Sequence, residues 1–170
     1  MMKLVIHDLN SDQFQNHFHD TSQNTHIISD TGLIQNCIGC FGCWIKTPGK
    51  CVIKDDYNNI GELFSQANNV VIISKCCYGG YSPFVKTVLE RSISYLLPFF
   101  KITKNETHHK PRYKNRLQLA VYFYGEHITE QEMNTAQNLV KANSINFCAL
   151  NYKVLFSETV EQLYKEIEAL

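Results

Sequence analysis

Four of the seven cysteines lie close together in the stretch QNCIGCFGCWIKTPGKC, at Cys37, Cys40, Cys43 and Cys51. Thiols grouped in this way can ligate a metal cluster, form a redox pair or pack as small buried apolar groups. A structural zinc site is disfavoured, because such sites usually combine two separated pairs rather than three close cysteines and a more distant fourth. Cys40 and Cys43 form a Cys-x2-Cys pair, but no thioredoxin-like pattern surrounds it. The spacing by itself leaves a cluster, buried thiols and a redox pair open.

A second stretch with chemical potential is CCYGGYS, which directly follows the apolar run VVIIS. Glycines let backbone N–H groups approach a planar ligand, and aromatic side chains offer it a flat apolar face. An ordinary glycine turn between a strand and a helix is the alternative reading. Because the loop follows a central strand at its carboxyl end, its position favours a ligand site. The pair Tyr124-Gly125 follows a later apolar run in the same way.

Composition excludes several classes of partner. Sixteen basic and sixteen acidic residues cancel, so the chain has no charge footprint for nucleic acid or an anionic membrane. No apolar run approaches the roughly 20 residues that span a bilayer. The apolar run in the N-terminal stretch MMKLVIHDLN is too short for that of a signal peptide. We therefore expect a cytoplasmic protein with reduced cysteines and a single domain over residues 1–170.

The chain alternates between strand and helix patterns. Short apolar runs predict five strands, at 3–7, 25–29, 70–74, 117–124 and 152–156. Helical spacing and capping signals predict five helices, at 11–19, 57–67, 82–93, 129–140 and 160–167. A Cys-rich loop at 31–56 interrupts the alternation. This order predicts an α/β three-layer sandwich with a parallel sheet, and five units favour the flavodoxin-like strand order 2-1-3-4-5.

The segment 93–116 stands apart from this alternation. Its stretch ISYLLPFF carries more apolar side chains than one helix end needs to bury, and exposed apolar runs often mark subunit contacts. We therefore expect an interface or lid segment here, and a homo-oligomer. His108 and His109 follow in a basic stretch without further ligands at metal-site spacing, which predicts a solvated surface loop.

Three segments together resemble the flavodoxin-like NAD(P)H-dependent FMN reductase family, including its iron–sulfur flavoprotein branch. They are CIGCFGCWIKTPGKCVIKDD, VVIISKCCYGGYSPFVKTVLER and VYFYGEH. In the second segment the matching residues are Tyr78, Gly79, Ser82, Lys86, Glu90 and Arg91. The resemblance covers residues 1–156 in outline and residues 37–91 in motif.

The resemblance implies an FMN-dependent oxidoreductase that passes reducing equivalents from NAD(P)H to a small-molecule or protein electron acceptor. Its flavin ring would be lined by Cys76, Cys77, Tyr78, Gly79, Gly80, Tyr81, Tyr124 and Gly125. Asn10 and Ser11 would contact the FMN phosphate. The resemblance assigns no catalytic side chain, because the cofactor carries the chemistry.

Two further expectations depend on the same resemblance. In the iron–sulfur branch, a 4Fe–4S cluster would be held by Cys37, Cys40, Cys43 and Cys51. The first loop, HDLNSDQFQ, departs from the family, because Asp8 and Asp12 would repel a phosphate dianion and no arginine stands nearby. This departure favours an alternative, a flavodoxin-like binding protein that has lost its flavin.

Overall fold

The computed structural model describes residues 2–17, 24–103 and 105–168. The strands are β1 (Met2–His7), β2 (Thr25–Ser29), β3 (Ala67–Lys75), β4 (Leu96–Thr103), β5 (Glu106–Pro111), β6 (Gln118–Tyr124) and β7 (Asn151–Ser157). The α-helices are α1 (Ser11–His17), α2 (Gly42–Ile45), α3 (Ile60–Gln66), α4 (Pro83–Arg91), α5 (Glu130–Asn146) and α6 (Val160–Glu168). A 3-10 helix covers Ser92–Tyr95. Within this part of the chain, none of the helices has the length and apolarity that crossing a membrane requires.

Five strands form one parallel sheet in the order β2-β1-β3-β6-β7. Counted along the chain, the parallel strands run 2-1-3-4-5, because β4 and β5 lie in a separate two-stranded sheet. The predicted α/β architecture is confirmed. The five predicted helices correspond to α1, α3, α4, α5 and α6, although residues 18 and 19 of the first prediction lie outside the described residues.

The sheet is buried on both faces, which explains its continuous apolar strands. Neighbouring side chains of β1 point to opposite faces, so that Leu4 and Ile6 join one apolar cluster and Val5 joins another. The first cluster contains residues of α3, α4 and α5, and the second contains residues of α6 and receives Phe14 of α1. This division gives three layers.

Two helix starts were readable from the sequence because the caps are local. The Ser82 hydroxyl accepts a hydrogen bond from the Val85 N–H group, directly before Pro83 at the first position of α4. Thr129 and Glu132 form a reciprocal capping box at the start of α5. These caps mark the starts of the two helices that follow the loops after β3 and β6.

The prediction of a surface loop at His108 and His109 is wrong. Strands β4 and β5 pair antiparallel as a hairpin, with Asn105 in the left-handed region (φ 64°) at its turn. His108 bonds the Asn146 and Glu106 side chains, and His109 bonds the Leu97 carbonyl oxygen through Nδ1 at 2.7 Å. The sequence ETHHKP of β5 is polar and lacks the apolar pattern by which strands were predicted. It forms a strand because its backbone pairs with that of β4.

Candidate active site

The loop after β3 is a tight, preformed turn. Cys77 and Gly80 exchange two backbone hydrogen bonds of 2.9 Å each. Between them Tyr78 and Gly79 both have positive φ, 53° and 76°, which is the signature of a type I′ turn. A Cβ atom on Gly79 would lie 2.7 Å from Thr135 Cβ, so only glycine lets the turn rest on α5. The Tyr78 side chain is 95% exposed and projects from this turn.

The loops after β3 and β6 lie side by side at the carboxyl edge of the sheet. The Cys76 N–H group donates to the Tyr124 carbonyl oxygen at 2.8 Å, and the Gly125 N–H group donates to the Ser157 carbonyl oxygen at 3.1 Å. They border a cavity of about 560 Å³, which we call the edge cavity. Its lining includes Gln13, Lys75, Cys76, Tyr124, Gly125, Glu126, Glu132, Glu158 and Glu161. Its volume is that of typical cofactor sites.

Asp8 fastens the first loop to this edge. Its carboxylate accepts hydrogen bonds from the Lys75 N–H group at 2.9 Å and from the Tyr124 hydroxyl at 3.1 Å. Burial raises the pKa of Tyr124, and the Asp8 charge raises it further, so the hydroxyl stays protonated and donates. Burial likewise raises the pKa of the Cys76 thiol. At this point of the edge, the Tyr124 hydroxyl and the Cys76 thiol are neutral. The neighbouring Asp8 carboxylate is already hydrogen-bonded to the Lys75 N–H group and the Tyr124 hydroxyl.

The first loop satisfies its own donors. Asn10 Oδ1 accepts from the Gln13 N–H group at 2.8 Å, and the Asn10 N–H group donates to Gln13 Oε1 at 3.2 Å. Asn10 thus caps α1, which has seven residues, and Ser11 is its exposed first residue. Among the described residues, the edge cavity is lined by one lysine, Lys75, by His127 and by the side chains of Glu126, Glu132, Glu158 and Glu161. The cavity fits a neutral ring, but its described residues do not fit a phosphate dianion.

The predicted ring residues are divided between two places. Cys76, Tyr124 and Gly125 line the edge cavity, whereas Cys77, Gly80 and Tyr81 line a separate cavity of about 530 Å³. Tyr81 is buried, and its hydroxyl oxygen accepts a hydrogen bond from Asn143 Nδ2 at 3.1 Å. The sequence placed residues 76–81 in one loop but did not reveal that this loop separates two cavities.

The four clustered cysteines line one cavity of about 460 Å³, together with Arg91. Cys37 and Cys40 are exposed, whereas Cys43 and Cys51 are half-buried. Burial raises the pKa of the Cys43 thiol, and the proximity of the other three cysteines raises it further. Even so, in the described residues no three His, Cys, Asp or Glu side chains are placed to hold a single metal ion. The thiols share a cavity without forming a ligand set for one ion.

Aromatic side chains pack the segment that carries the four clustered cysteines against the β4–β5 hairpin. Trp44 Nε1 donates to the Leu96 carbonyl oxygen at 3.0 Å. The Trp44 ring stacks on Phe41, with ring centroids 5.5 Å apart, and contacts His109, with centroids 5.1 Å apart. The His109 ring also contacts Phe100. The sequence analysis missed this support, because Trp44 and His109 are brought together only by the fold.

Comparison with known proteins gives one sequence match and several structural ones. No protein-family model matches the chain. An iron-sulfur flavoprotein of Methanocaldococcus jannaschii is 38% identical over 56 residues. The match spans 33% of this chain and only 28% of that protein's length.

The solved structures match almost the whole chain. An FMN-dependent NADH-azoreductase from Bacillus anthracis, in complex with FMN, has a TM-score of 0.57 at 13% identity, covering 99% of this chain and 97% of its own. The azoreductase AzrA has a TM-score of 0.57 at 12% identity, with coverages of 99% and 92%. The fold is flavodoxin-like. A third flavodoxin-like structure, general stress protein 14 of Treponema denticola with FMN, has a TM-score of 0.52 at 12% identity, with coverages of 99% and 92%.

In flavodoxin-like sheets, ligands bind outside the carboxyl ends of the strands near the point where the strand order reverses. The edge cavity lies at the carboxyl ends of β3, β6 and β7. The solved structures confirm the expected resemblance at the level of the fold. The strand order reverses between β1 and β3, and the edge cavity reaches this point through Gln13 of α1 and through Lys75 and Cys76 at the end of β3, which makes it the candidate cofactor site.

Proposed function

We propose that this protein is a flavin-dependent oxidoreductase of the cytoplasm that takes reducing equivalents from NAD(P)H and passes them to a small-molecule or protein acceptor. The observation that carries the proposal is the preformed pair of loops at Cys76 and Tyr124, which borders the edge cavity. The FMN-containing proteins with the same fold support it.

The residues of the edge would hold the ring of FMN. Cys76 and Gly125 would lie against it, and Tyr78, exposed in the turn after β3, would offer an aromatic face. When bound, a flavin accepts a hydride from a nicotinamide and releases the electrons to an acceptor. The chain itself orients the two loops through the Cys76–Tyr124 hydrogen bond, and Asp8, which follows β1, bonds the ends of both β3 and β6 through the Lys75 N–H group and the Tyr124 hydroxyl.

Anaerobic spectroscopy of the purified protein tests this proposal. We expect saturable quenching of flavin fluorescence on titration and a two-banded yellow spectrum that NADH or NADPH bleaches. A Cys76→Leu variant, which fills the edge cavity, should weaken flavin binding, whereas the matched Cys40→Leu variant should not. A colourless protein that ignores added FMN would instead support the alternative of a flavodoxin-like binding protein without flavin.

Electron transfer through an iron–sulfur cluster is the second candidate function. Its support is that Cys37, Cys40, Cys43 and Cys51 line a common cavity, although their side chains would have to turn inward to hold a 4Fe–4S cluster. Protein purified without oxygen should then contain about four iron atoms per chain. A Cys43→Ser variant should lose them, and a Cys148→Ser variant, outside this cavity, should retain them. Iron-free wild-type protein purified without oxygen would contradict this candidate.

The homo-oligomer expected from segment 93–116 is also a proposal. The hairpin exposes Phe99, Phe100 and Ile102 by 64%, 60% and 71%. Three large apolar side chains on one short strand resemble the apolar centre of subunit interfaces. Phe100 and Ile102 are two residues apart and therefore point to the same face of β4, and we assign this face to a second copy of the chain.

A further inference from the structure

A cavity of about 530 Å³ lies behind the turn that follows β3, and it is not part of the edge cavity. We call it the inner cavity. Its walls come from the turn, α4, α5 and the β4–β5 hairpin, with apolar side chains that include Leu89, Ile93, Leu96, Leu139 and Phe147. A cavity of this volume with mostly apolar walls is typical of small-molecule sites.

The inner cavity is adjacent to both proposed redox sites. Leu89 of α4 and Ile93 of the 3-10 helix also line the four-cysteine cavity, so these side chains border both cavities. Cys77 lines the inner cavity, and its neighbour Cys76 lines the edge cavity. A ligand in the inner cavity would therefore contact elements that position both sites.

One polar pair in the wall, the buried Tyr81 and the half-buried Asn143, is left with an unused hydrogen-bond donor. Tyr81 is 8% exposed, and its hydroxyl oxygen accepts from Asn143 Nδ2, while its own hydrogen has no acceptor among the described residues. If the amide is turned the other way, the Tyr81 hydroxyl donates to Asn143 Oδ1 and the amide N–H group is left over instead. Burial raises the pKa of Tyr81 to about 12, so the hydroxyl keeps its hydrogen at neutral pH.

The charges near the cavity compensate each other. Lys86 and Glu90, which line it, form an ion pair of 3.6 Å on the surface of α4. His109 donates Nδ1–H to the Leu97 carbonyl oxygen. The walls thus offer apolar surface and the donor left over by the Tyr81–Asn143 pair, and the charged side chains of Lys86 and Glu90 are paired with each other, which selects against ionic ligands.

We propose that the inner cavity binds a neutral aromatic compound that carries a carbonyl oxygen. The rings lie between Leu89, Leu139 and Phe147, and the carbonyl oxygen accepts the donor left over by the Tyr81–Asn143 pair. The site is distinct from the proposed flavin site, and its occupation does not require flavin or NAD(P)H.

Binding of a neutral fluorescent naphthyl ketone, 6-propionyl-2-dimethylaminonaphthalene, to the flavin-free chain tests the site. We expect a saturable blue shift of its emission with one site per chain. 2-Acetylnaphthalene should displace it at least tenfold more effectively than 2-ethylnaphthalene, which lacks the oxygen, or 2-naphthoate, which is charged. No saturable binding, or equal displacement by the ethyl compound, would overturn the proposal.

Variants locate the bound probe. Tyr81→Phe combined with Asn143→Leu should weaken binding at least tenfold, and Tyr95→Phe, which removes a buried hydroxyl bonded to Asn115 outside this cavity, should leave it unchanged. Added FMN should not displace the probe. Competition by FMN would assign the cavity to the flavin site, and an equal loss in the Tyr95 variant would show a general effect on folding. Either result would contradict the proposal that the inner cavity is a binding site separate from the flavin site. A protein that does not bind flavin would contradict the proposed function but would not change the result of this assay.

Discussion

Arg91 and Asp55 form a bidentate ion pair, with N···O distances of 2.8 Å from Nη1 to Oδ2 and from Nη2 to Oδ1. Both side chains are inaccessible, at 0% and 6% exposure. Arg91 Nη1 also donates to the Gln35 carbonyl oxygen, and the Asp55 carboxylate accepts from the Gln35 N–H group. Because Gln35 precedes the four cysteines and Asp55 follows them, this pair holds both ends of the cysteine segment on α4. Hydrogen bonds from Arg91 lower the pKa of Asp55.

We predict that Arg91→Met destabilises the protein by about 3–5 kcal/mol, because it leaves the Asp55 carboxylate buried without its partner. Urea denaturation followed by circular dichroism measures the loss. The matched Lys86→Met variant removes an exposed ion pair with Glu90 and should change the free energy of unfolding by only about 0.5 kcal/mol or less. Equal effects of the two changes would show that the Asp55–Arg91 pair does not anchor the segment.

His7 should make stability depend on pH below neutrality. It is 2% exposed, and its ring stacks on that of Phe14 with the ring centroids 4.0 Å apart. Burial lowers its pKa from 6.5 to about 4. Between these values the unfolded chain binds a proton that the folded chain does not, so stability falls as pH falls, by about 1.4 kcal/mol per unit.

A His7→Phe variant keeps the stacked ring but cannot titrate, so its stability should fall less steeply between pH 6.5 and 4. Urea denaturation at half-unit pH steps measures the slope. His26→Gln, at an exposed histidine, should retain the wild-type slope. An unchanged slope in the His7 variant would assign the acid sensitivity to other groups.

The turn after β3 should depend on Gly79 and not on Gly80. At Gly79 a methyl group combines a positive φ of 76° with a 2.7 Å approach to Thr135 Cβ, whereas at Gly80 the nearest atom is the Cys77 oxygen at 3.4 Å. We expect Gly79→Ala to destabilise the protein by about 1–3 kcal/mol and Gly80→Ala to have a smaller effect. Thermal denaturation measures both, and a larger loss at Gly80 would contradict the turn geometry.

The phosphate of FMN should contribute little to binding. Asn10 and Gln13 satisfy each other's donors, and the edge cavity is rich in glutamates. We therefore expect the dissociation constants of FMN and riboflavin to agree within about tenfold, a difference of about 1.4 kcal/mol or less. Parallel fluorescence titrations measure both. A preference for FMN of about a hundredfold would reveal phosphate donors beyond those in the described residues.

The proposed homodimer makes a prediction about the hairpin. A Phe100→Asp/Ile102→Asp variant places two charges on the apolar face that these two residues share and should shift the protein from dimer to monomer in analytical ultracentrifugation at micromolar concentration. Leu33→Asp, at an apolar residue that is 66% exposed but outside the hairpin, should leave the dimer intact. A wild-type protein that is monomeric under the same conditions would contradict the proposal.

Much of the fold could be predicted because its signals are local. The alternation of apolar runs and helical spacings indicated the parallel sheet, and the caps at Ser82 and Thr129 marked two helix starts. The sequence analysis did not use Asn105 as a sign of the hairpin. Asparagine is a residue type that turns favour, and Asn105 adopts a positive φ at this turn. The capping of α1 by Asn10 and Gln13 was also local, but the same residue types serve as phosphate donors, so composition did not distinguish the two roles.

The sequence by itself determined the order of strands and helices, the loops at the carboxyl edge and the grouping of the cysteines, because periodicity and capping act within a few residues. The tertiary structure decided what those groups contact. Asp8 reaches Tyr124 across 116 positions of the chain, and Asp55 reaches Arg91 across 36. Such contacts depend on which helices pack on which face of the sheet. For the same reason, the division of residues 76–81 between two cavities was visible only in the folded chain.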